Sequence, residues 1–295
     1  ARKPYLLDDL IEEGCFISKD ELESIQTKLK EKKNIILQGP PGTDARTVNC
    51  CKRCQCNRGY RDLKYKAIQF HPNTSYEDFI RGYRPSSDGK LELVDGPFLY
   101  IANQAENDPD ANYVIVIEEI NRGNPAQIFG EMLTLLEASK RNPQEALELT
   151  YGNEKGFYIP DNLYVIGTMN IADRSLAMVD FALRRRFAFF DLEPNFGNEW
   201  LEYMKDKSGI SETKLNEWQK RIKKLNKIIS DDQTLGPAFT IGHSYLTTSQ
   251  SIKDDQADKW FTTIVKTEIM PLLEEYWFCG TEQIEEAENI LLQQN

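Results

Sequence analysis

Tyr113-Val-Ile-Val-Ile-Glu-Glu-Ile-Asn-Arg122 sets two carboxylates directly behind a run of strand-forming residues. A continuous apolar run is the pattern of a strand buried on both faces of a parallel sheet. The C-terminal edge of such a sheet is where α/β proteins hold their ligands. At that edge Glu118 can hold a Mg²⁺ ion through water, and Glu119 can orient a water for attack on a phosphate. Upstream, Asn34-Ile-Ile-Leu-Gln-Gly-Pro-Pro-Gly-Thr43 runs from a strand into a glycine-rich loop. Gly39, Pro40, Pro41, Gly42 and Thr43 form the first half of a loop whose backbone N–H groups cradle phosphates. The two segments together imply nucleoside-triphosphate chemistry.

The second half of that loop departs from the pattern. A working phosphate loop continues with Gly-Lys-Thr, the Lys for the β/γ-phosphates and the hydroxyl for Mg²⁺. Here the residues are Asp44-Ala45-Arg46. Asp44 sets a carboxylate where phosphate oxygens belong, and Ala45 offers no cation. Arg46-Thr47 reads as a displaced Lys-Thr pair, although a guanidinium does not replace a compact ammonium in a tight loop.

The segment behind it, Thr47 to Arg58, is poorly amphipathic and holds Cys50, Cys51, Cys54 and Cys56. Three readings stand. Cys51-x-x-Cys54 is half of a zinc pattern, without a second Cys pair and with only His71 and His243 in the chain. Alternatively the loop is inactivated in a subunit kept for structure. The third reading is a local frameshift. Reading one base earlier turns Cys50 and Cys51 into Leu and makes Cys54 and Cys56 apolar, which restores a helical stripe. Asp44 can then become Gly and Arg46 Thr, but Lys is not recovered at position 45.

The elements that must hold these residues alternate between strand and helix patterns. Ser18-Lys-Asp-Glu21 reads as a capping box before a helix carrying Leu22, Ile25 and Leu29. Strands are expected at 35–37, 67–70, 113–117, 163–167 and 187–190. Residues 90–94 alternate like one arm of a hairpin, and 147–151 with 157–159 suggest another. Helices are expected at 97–105, 125–137 and 177–186. This order implies an α/β fold built on a parallel sheet. Behind Pro194 only helical periodicity remains, at 200–207, 214–229 and 258–276. A boundary therefore falls near Glu193-Pro194, giving an α/β domain over 1–193 and a small helical domain over 194–295.

Bulk composition bounds the partners. The 295 residues are 40% hydrophobic and 28% charged, ordinary for a globular protein, and the net charge is −11. A chain that grips DNA by itself usually carries a basic face, so direct DNA binding is not expected. No apolar run is long enough to span a membrane and no apolar signal core follows Ala1, so the expected setting is cytoplasmic, with the six cysteines not paired as a disulfide framework. Ala1 in place of Met suggests a fragment or processed start with an upstream domain missing.

Five segments resemble the McrB family of AAA+ proteins, in order and over nearly the whole chain. They are Gln69-Phe-His-Pro-Asn-Thr-Ser-Tyr-Glu-Asp-Phe-Ile-Arg-Gly-Tyr-Arg-Pro85, Glu119-Ile-Asn-Arg-Gly-Asn124, Met169-Asn-Ile-Ala-Asp-Arg-Ser175, Ala182-Leu-Arg-Arg-Arg-Phe187 and Ile241-Gly-His-Ser-Tyr245. The resemblance implies an AAA+ P-loop NTPase core with hairpin insertions, followed by an all-helical lid. It implies GTP, or else ATP, as substrate with Mg²⁺, a homo-hexameric ring, and an McrC-like endonuclease partner. DNA would be engaged through the assembled complex or an N-terminal domain absent here. By the same resemblance Glu119 activates water and Asn170 orients it, while Asn121 and Arg122 reach the γ-phosphate region or the neighbouring subunit. Residues 39–47 bind nucleotide, and Asp173 and Arg174 serve the nucleotide site or the subunit interface. Arg184 and Arg185, more than Arg186, act as arginine fingers, and His243 is a lid sensor. A hydrolysis-defective ring subunit and a generic ATP-driven remodeller are the alternatives on this scaffold.

Overall fold

The computed structural model describes residues 13–43, 64–152, 156–173, 181–278 and 280–292. Helix α1 (Lys19–Lys32) is capped by Ser18, whose Oγ accepts the Glu21 N–H, and buries Leu22, Ile25 and Leu29. It leads into β1 (Asn34–Gly39), where Ile35, Ile36 and Leu37 are fully buried. Full burial of such side chains contributes roughly 1.5–3 kcal/mol each. Strands β2 (Tyr65–Gln69), β5 (Tyr113–Glu118), β6 (Leu163–Asn170) and β7 (Ala188–Asp191) join β1 in one parallel sheet, ordered β2-β5-β6-β1-β7. Apolar clusters cover both faces, which is why β1, β5 and β6 read as unbroken apolar runs.

Between β2 and β5 lies an interrupted helix. Its first turn, α2 (Tyr76–Phe79), carries a true capping box between Ser75 and Asp78. A two-stranded hairpin follows, β3 (Arg81–Pro85) antiparallel to β4 (Leu91–Asp95), and then α3 (Pro97–Glu106). The hairpin base is closed by Arg81 Nε donating to Asp95 at 2.6 Å. Gly96 restitches the helix halves: its N–H donates to Ile80 O at 2.7 Å, and a Cβ there would lie 2.4 Å from Phe79 O.

Three expectations need correction. Residues 125–137 do not form one helix but two turns, α4 (Pro125–Phe129) and α5 (Met132–Leu135). The break is Gly130, at φ +50°, where a Cβ would lie 2.9 Å from the Tyr76 ring. The second expected hairpin is reduced to a single antiparallel bridge, Leu147 to Phe157. The helix expected at 258–276 starts earlier, as α9 (Asp254–Ile264), and widens into a π-turn at Val265–Ile269 before α10 (Met270–Tyr276). Pro271 lacks the N–H that would continue the ladder, and a π-turn absorbs the loss.

Helix α6 (Phe181–Arg186) precedes β7; residues 174–180 lie outside the described set. The chain then enters the helical region: α7 (Asn198–Ser208), α8 (Glu212–Asp231), α9, α10 and a final α11 (Thr281–Leu292) that periodicity had not suggested. Trp200, Trp218, Ile222 and Leu225 build its separate core. Among the described residues no helix is long and apolar enough to cross a membrane.

One buried polar network joins sheet and helices. The Arg141 guanidinium, 5% exposed, donates to Asn34 Oδ1 (2.6 Å) and to the carbonyls of Leu136, Pro160 and Leu163. Burial pushes its pKa down to about 10, so it stays cationic at neutral pH. Asn34 Nδ2 in turn donates to Leu136 O (2.7 Å) and Arg186 O (3.0 Å). Arg141→Ala removes a buried hub of hydrogen bonds, leaves Asn34 Oδ1 without this donor, and is expected to lower the unfolding free energy by ~3 kcal/mol or more. Denaturant titration reads this loss, and Arg141→Lys should recover only part of it.

Candidate nucleotide site

Parallel pairing brings the C-terminal ends of β1, β5 and β6 to one edge. Gly39 is the register partner of Asn170, and Leu192 N–H donates to Gln38 O at 2.7 Å. The first turn of the loop is tightly held. Thr43, 3% exposed, donates its hydroxyl to Pro40 O at 2.8 Å. A Cβ on Gly39 would lie 2.4 Å from Thr43 Oγ1 and 2.5 Å from Leu192 O, so only glycine fits. Gly42 stands at φ +85°. The expectations for Asp44, Ala45, Arg46 and Thr47, and for Cys50, Cys51, Cys54 and Cys56, lie outside the described residues. Among the described residues no group of three or more His, Cys, Asp or Glu is arranged for a metal ion.

The two acids diverge. Glu118 closes β5 with its side chain exposed, and its carbonyl accepts the Phe70 N–H at 2.9 Å. Glu119 stands at φ +55°, a left-handed conformation that costs a non-glycine residue about 1–2 kcal/mol. Thr168 holds it there: Thr168 Oγ1 accepts the Glu119 N–H (3.4 Å) and Thr168 O accepts the Ile120 N–H (3.0 Å). The Glu119 carboxylate is 3.2 Å from Arg122 Nε, and Arg122 also reaches Asp173 at 3.9 Å. This bridge unites three of the expected residues, Glu119, Arg122 and Asp173. Thr168, which sequence reasoning missed, supplies the geometry.

Asn121 is 5% exposed; its Nδ2 donates to Asn170 O at 3.5 Å, while its buried Oδ1 has no hydrogen-bond partner. Asn170 Oδ1 accepts the Ala172 N–H at 3.0 Å, so its amide N–H₂ is the group left for a ligand or water. Hard oxygen donors, the Glu118 carboxylate and the orphaned Asn121 carbonyl, suit Mg²⁺ and its water shell.

On α6 the arginines differ. Arg186 is anchored, donating to Ala182 O (2.7 Å) and lying 3.4 Å from Glu137. Arg184 and Arg185 are exposed, Arg184 resting 5.4 Å above the Phe189 ring. Arg174 lies outside the described residues.

The lid meets the loop through backbone. Gly242 N–H donates to Pro41 O and Ser244 N–H to Gly42 O, both at 3.0 Å. A Cβ on Gly242 would lie 2.4 Å from Gly42 and Pro41 backbone atoms. Asn226 fixes this approach, its amide bonding both the N–H (2.7 Å) and the carbonyl (2.9 Å) of Ile241. His243 is buried where the lid meets Phe16. It is 5% exposed, packed edge-on against Phe16 and Phe196, and its Nδ1 accepts the Asn195 N–H at 3.2 Å. Its ring is committed to locking the lid core, and its neighbour Gly242 makes the contact with the loop.

A glycine loop after β1, acids at the end of β5 one strand beyond its neighbour β6, and a helical lid docked on the loop define an AAA nucleoside-triphosphatase module. Residues 34–187 match the AAA domain of the dynein-related subfamily, and residues 217–285 match the McrB α-helical lid domain. The chain belongs to the McrB family. It is 40% identical, over 278 residues, to the type IV methyl-directed restriction enzyme EcoKMcrB subunit of Escherichia coli strain K12, covering 93% of this chain and 60% of that protein. It is 26% identical to the type II restriction enzyme BsuMI component YdiS of Bacillus subtilis strain 168, covering 70% of this chain and 72% of the relative. The chain thus spans about three-fifths of the length of the Escherichia coli protein.

Two substitutions probe the geometry. Glu119→Gln should leave nucleotide affinity unchanged while any hydrolysis falls by ~10²–10⁴-fold, measured by phosphate release. Gly242→Ala should abolish lid docking, read as lost hydrogen-exchange protection at the Gly242 and Ser244 amides.

Proposed function

We propose that this chain is the nucleoside-triphosphatase ring subunit of a modification-dependent restriction system, with GTP favoured over ATP. The observation that carries the reading is the bridge at the sheet edge, where Glu119 is held in a strained conformation by Thr168, two residues before the Asn170 that pairs in register with Gly39 of the glycine loop. Glu119 would take the proton of the attacking water and Asn170 would orient that water. Glu118, through water, would hold Mg²⁺ with Asn121 nearby, and the ion would neutralise charge on the β- and γ-phosphates. Residues 39–47 would hold the phosphates, with Asp173 and Arg174 beside them or at the subunit interface. Arg184 and Arg185, unpinned on α6, would reach the nucleotide of the next subunit in a homo-hexamer. The partner would be an McrC-like endonuclease, and hydrolysis would drive DNA translocation for it; the similarity to a methyl-directed restriction subunit supports this assignment. GTP preference rests on the family likeness. Residues 1–193 would act as the nucleotide domain and 194–295 as the lid.

A second reading has a specific basis: Asp44-Ala45-Arg46 stands where Gly-Lys-Thr is needed. In that reading the subunit assembles and offers Arg184 and Arg185 to active neighbours without turning over nucleotide itself. The test compares GTP and ATP hydrolysis by the chain as it stands and by the chain carrying Asp44→Gly, Ala45→Lys and Arg46→Thr, each with an McrC-like partner. Turnover of GTP by the altered chain alone supports the second reading for the native loop and the GTPase reading for the scaffold. Turnover by the native chain makes Arg46-Thr47 a working variant, and no turnover by either overturns the proposal. In the active form, Arg184→Ala or Arg185→Ala should cost ~10³-fold or more in turnover with nucleotide binding kept.

A further inference from the structure

Beside the glycine loop lies a cavity of about 500 Å³, opening at Gly39 and Pro40 and bounded by the β7-to-lid connection, α8 and the 3₁₀ turn at Pro237–Phe239. Its walls carry Ile171, Pro194, Phe196, Pro237 and Ala238, apolar surfaces suited to the faces of a flat heteroaromatic ring. Three polar side chains on the walls are already committed. Asn226 is spent on the Ile241 backbone, Thr240 Oγ1 donates to Pro237 O (2.8 Å), and Asp191 Oδ1 accepts from Gln38 Nε2 (2.5 Å). Two charged side chains on the walls, Glu193 and Lys223, have no hydrogen-bond or ion-pair partner among the described residues. The Glu193 charge is close enough to Glu21 to help burial hold the Glu21 carboxyl above its ordinary value. Glu193 is thus a carboxylate with a like-charged neighbour, in a setting that favours an added donor.

We infer that this cavity takes the base of the nucleotide and that Glu193 and Lys223 read guanine in it. The inference rests on the nucleotide-binding reading above and adds the residues that set base choice. Guanine presents two adjacent donors, N1–H and the 2-amino group, beside the O6 acceptor. A carboxylate accepts both donors in a bidentate, charge-assisted pair, and an ammonium donates to O6. Adenine offers a single amino donor next to an unprotonated N1, whose lone pair would face the second carboxylate oxygen. A site built on hydrogen bonds rejects the ligand that cannot make them more sharply than an apolar slot does. The larger groove between α8 and α11, about 620 Å³, shares no residue with the catalytic edge and is lined by charges of both signs, so it does not compete for this role.

The experiment measures affinity of the full chain, with its native loop and with the Gly-Lys-Thr loop, for GTP, ITP, XTP and ATP, before and after Glu193→Gln. Glu193 is exposed, so the substitution is not expected to disturb folding. The unsubstituted chain should bind GTP ~10-fold or more tightly than ITP, which lacks the 2-amino group, and than ATP. In Glu193→Gln the GTP-to-ATP ratio should fall by ~10-fold or more while ATP affinity is kept. The XTP-to-GTP ratio should rise, because a carboxamide N–H₂ can donate to the 2-oxo group of xanthine. Lys223→Gln should weaken GTP and ITP alike, since both carry O6. Base preference unmoved by Glu193→Gln overturns this inference and leaves the nucleotide reading intact. No binding of any nucleotide by either form of the chain overturns both.

Discussion

Everything at the catalytic edge depends on β1 lying between β6 and β7 in parallel register. A parallel sheet forces every crossover to return over a face, so its C-terminal ends converge on one side without any residue there being selected for contact. The register Gly39 to Asn170 sets the glycine loop beside the Asn170 amide, and β7 on the other flank delivers the chain to the lid. The same geometry buries β1 and leaves its first residue, Asn34, as a place where polar groups must be reconciled. Arg141 does this by joining β1, the end of α5 and the carbonyl end of α6 in one network. The helix that carries the arginines is therefore held from the opposite end of the strand that carries the loop.

Strain and burial at the edge point the same way. Glu119 is left-handed and Asn121 keeps a buried unpaired carbonyl. Both are unfavourable in isolation, and both persist because Thr168 and Asn170 on β6 over-determine the backbone. Such costs concentrate where a ligand supplies the missing partner.

The sheet was legible in the sequence because strands buried on both faces have no alternation to obscure them: β1, β5 and β6 stand out as runs of Ile, Val and Leu. The acids and amides at their ends were legible for the same reason, since the end of a run marks the edge. What was not legible depends on residues far apart in sequence. Gly130 ends a helix at φ +50°, and the Tyr76 ring, packed from another element, leaves no room there for a Cβ. His243 was singled out from its place in a motif, and its packing against Phe16 and Phe196, from distant segments, could not be read there. Asn226 sits unremarked on an amphipathic helix until Ile241 folds back on it, and Glu193 gains its setting only when α8 closes the cavity. Pro271 was visible, but whether it would end, kink or widen its helix was decided by the packing of Val265 and Ile269 in the lid core.

The hairpin β3–β4 interrupts a helix without disturbing what the helix does. Phe79 and Phe98, on either side of the interruption, both remain in the core and touch each other, and Gly96 closes the gap through backbone alone. Tyr83, Leu91 and Val94 stay outside, more than two-fifths exposed. The fold is therefore modular at this point. Length and surface chemistry at the tip of the hairpin can vary while the Gly96-to-Ile80 hydrogen bond keeps the helix halves joined, so one outward face can change without the core beneath it being rebuilt.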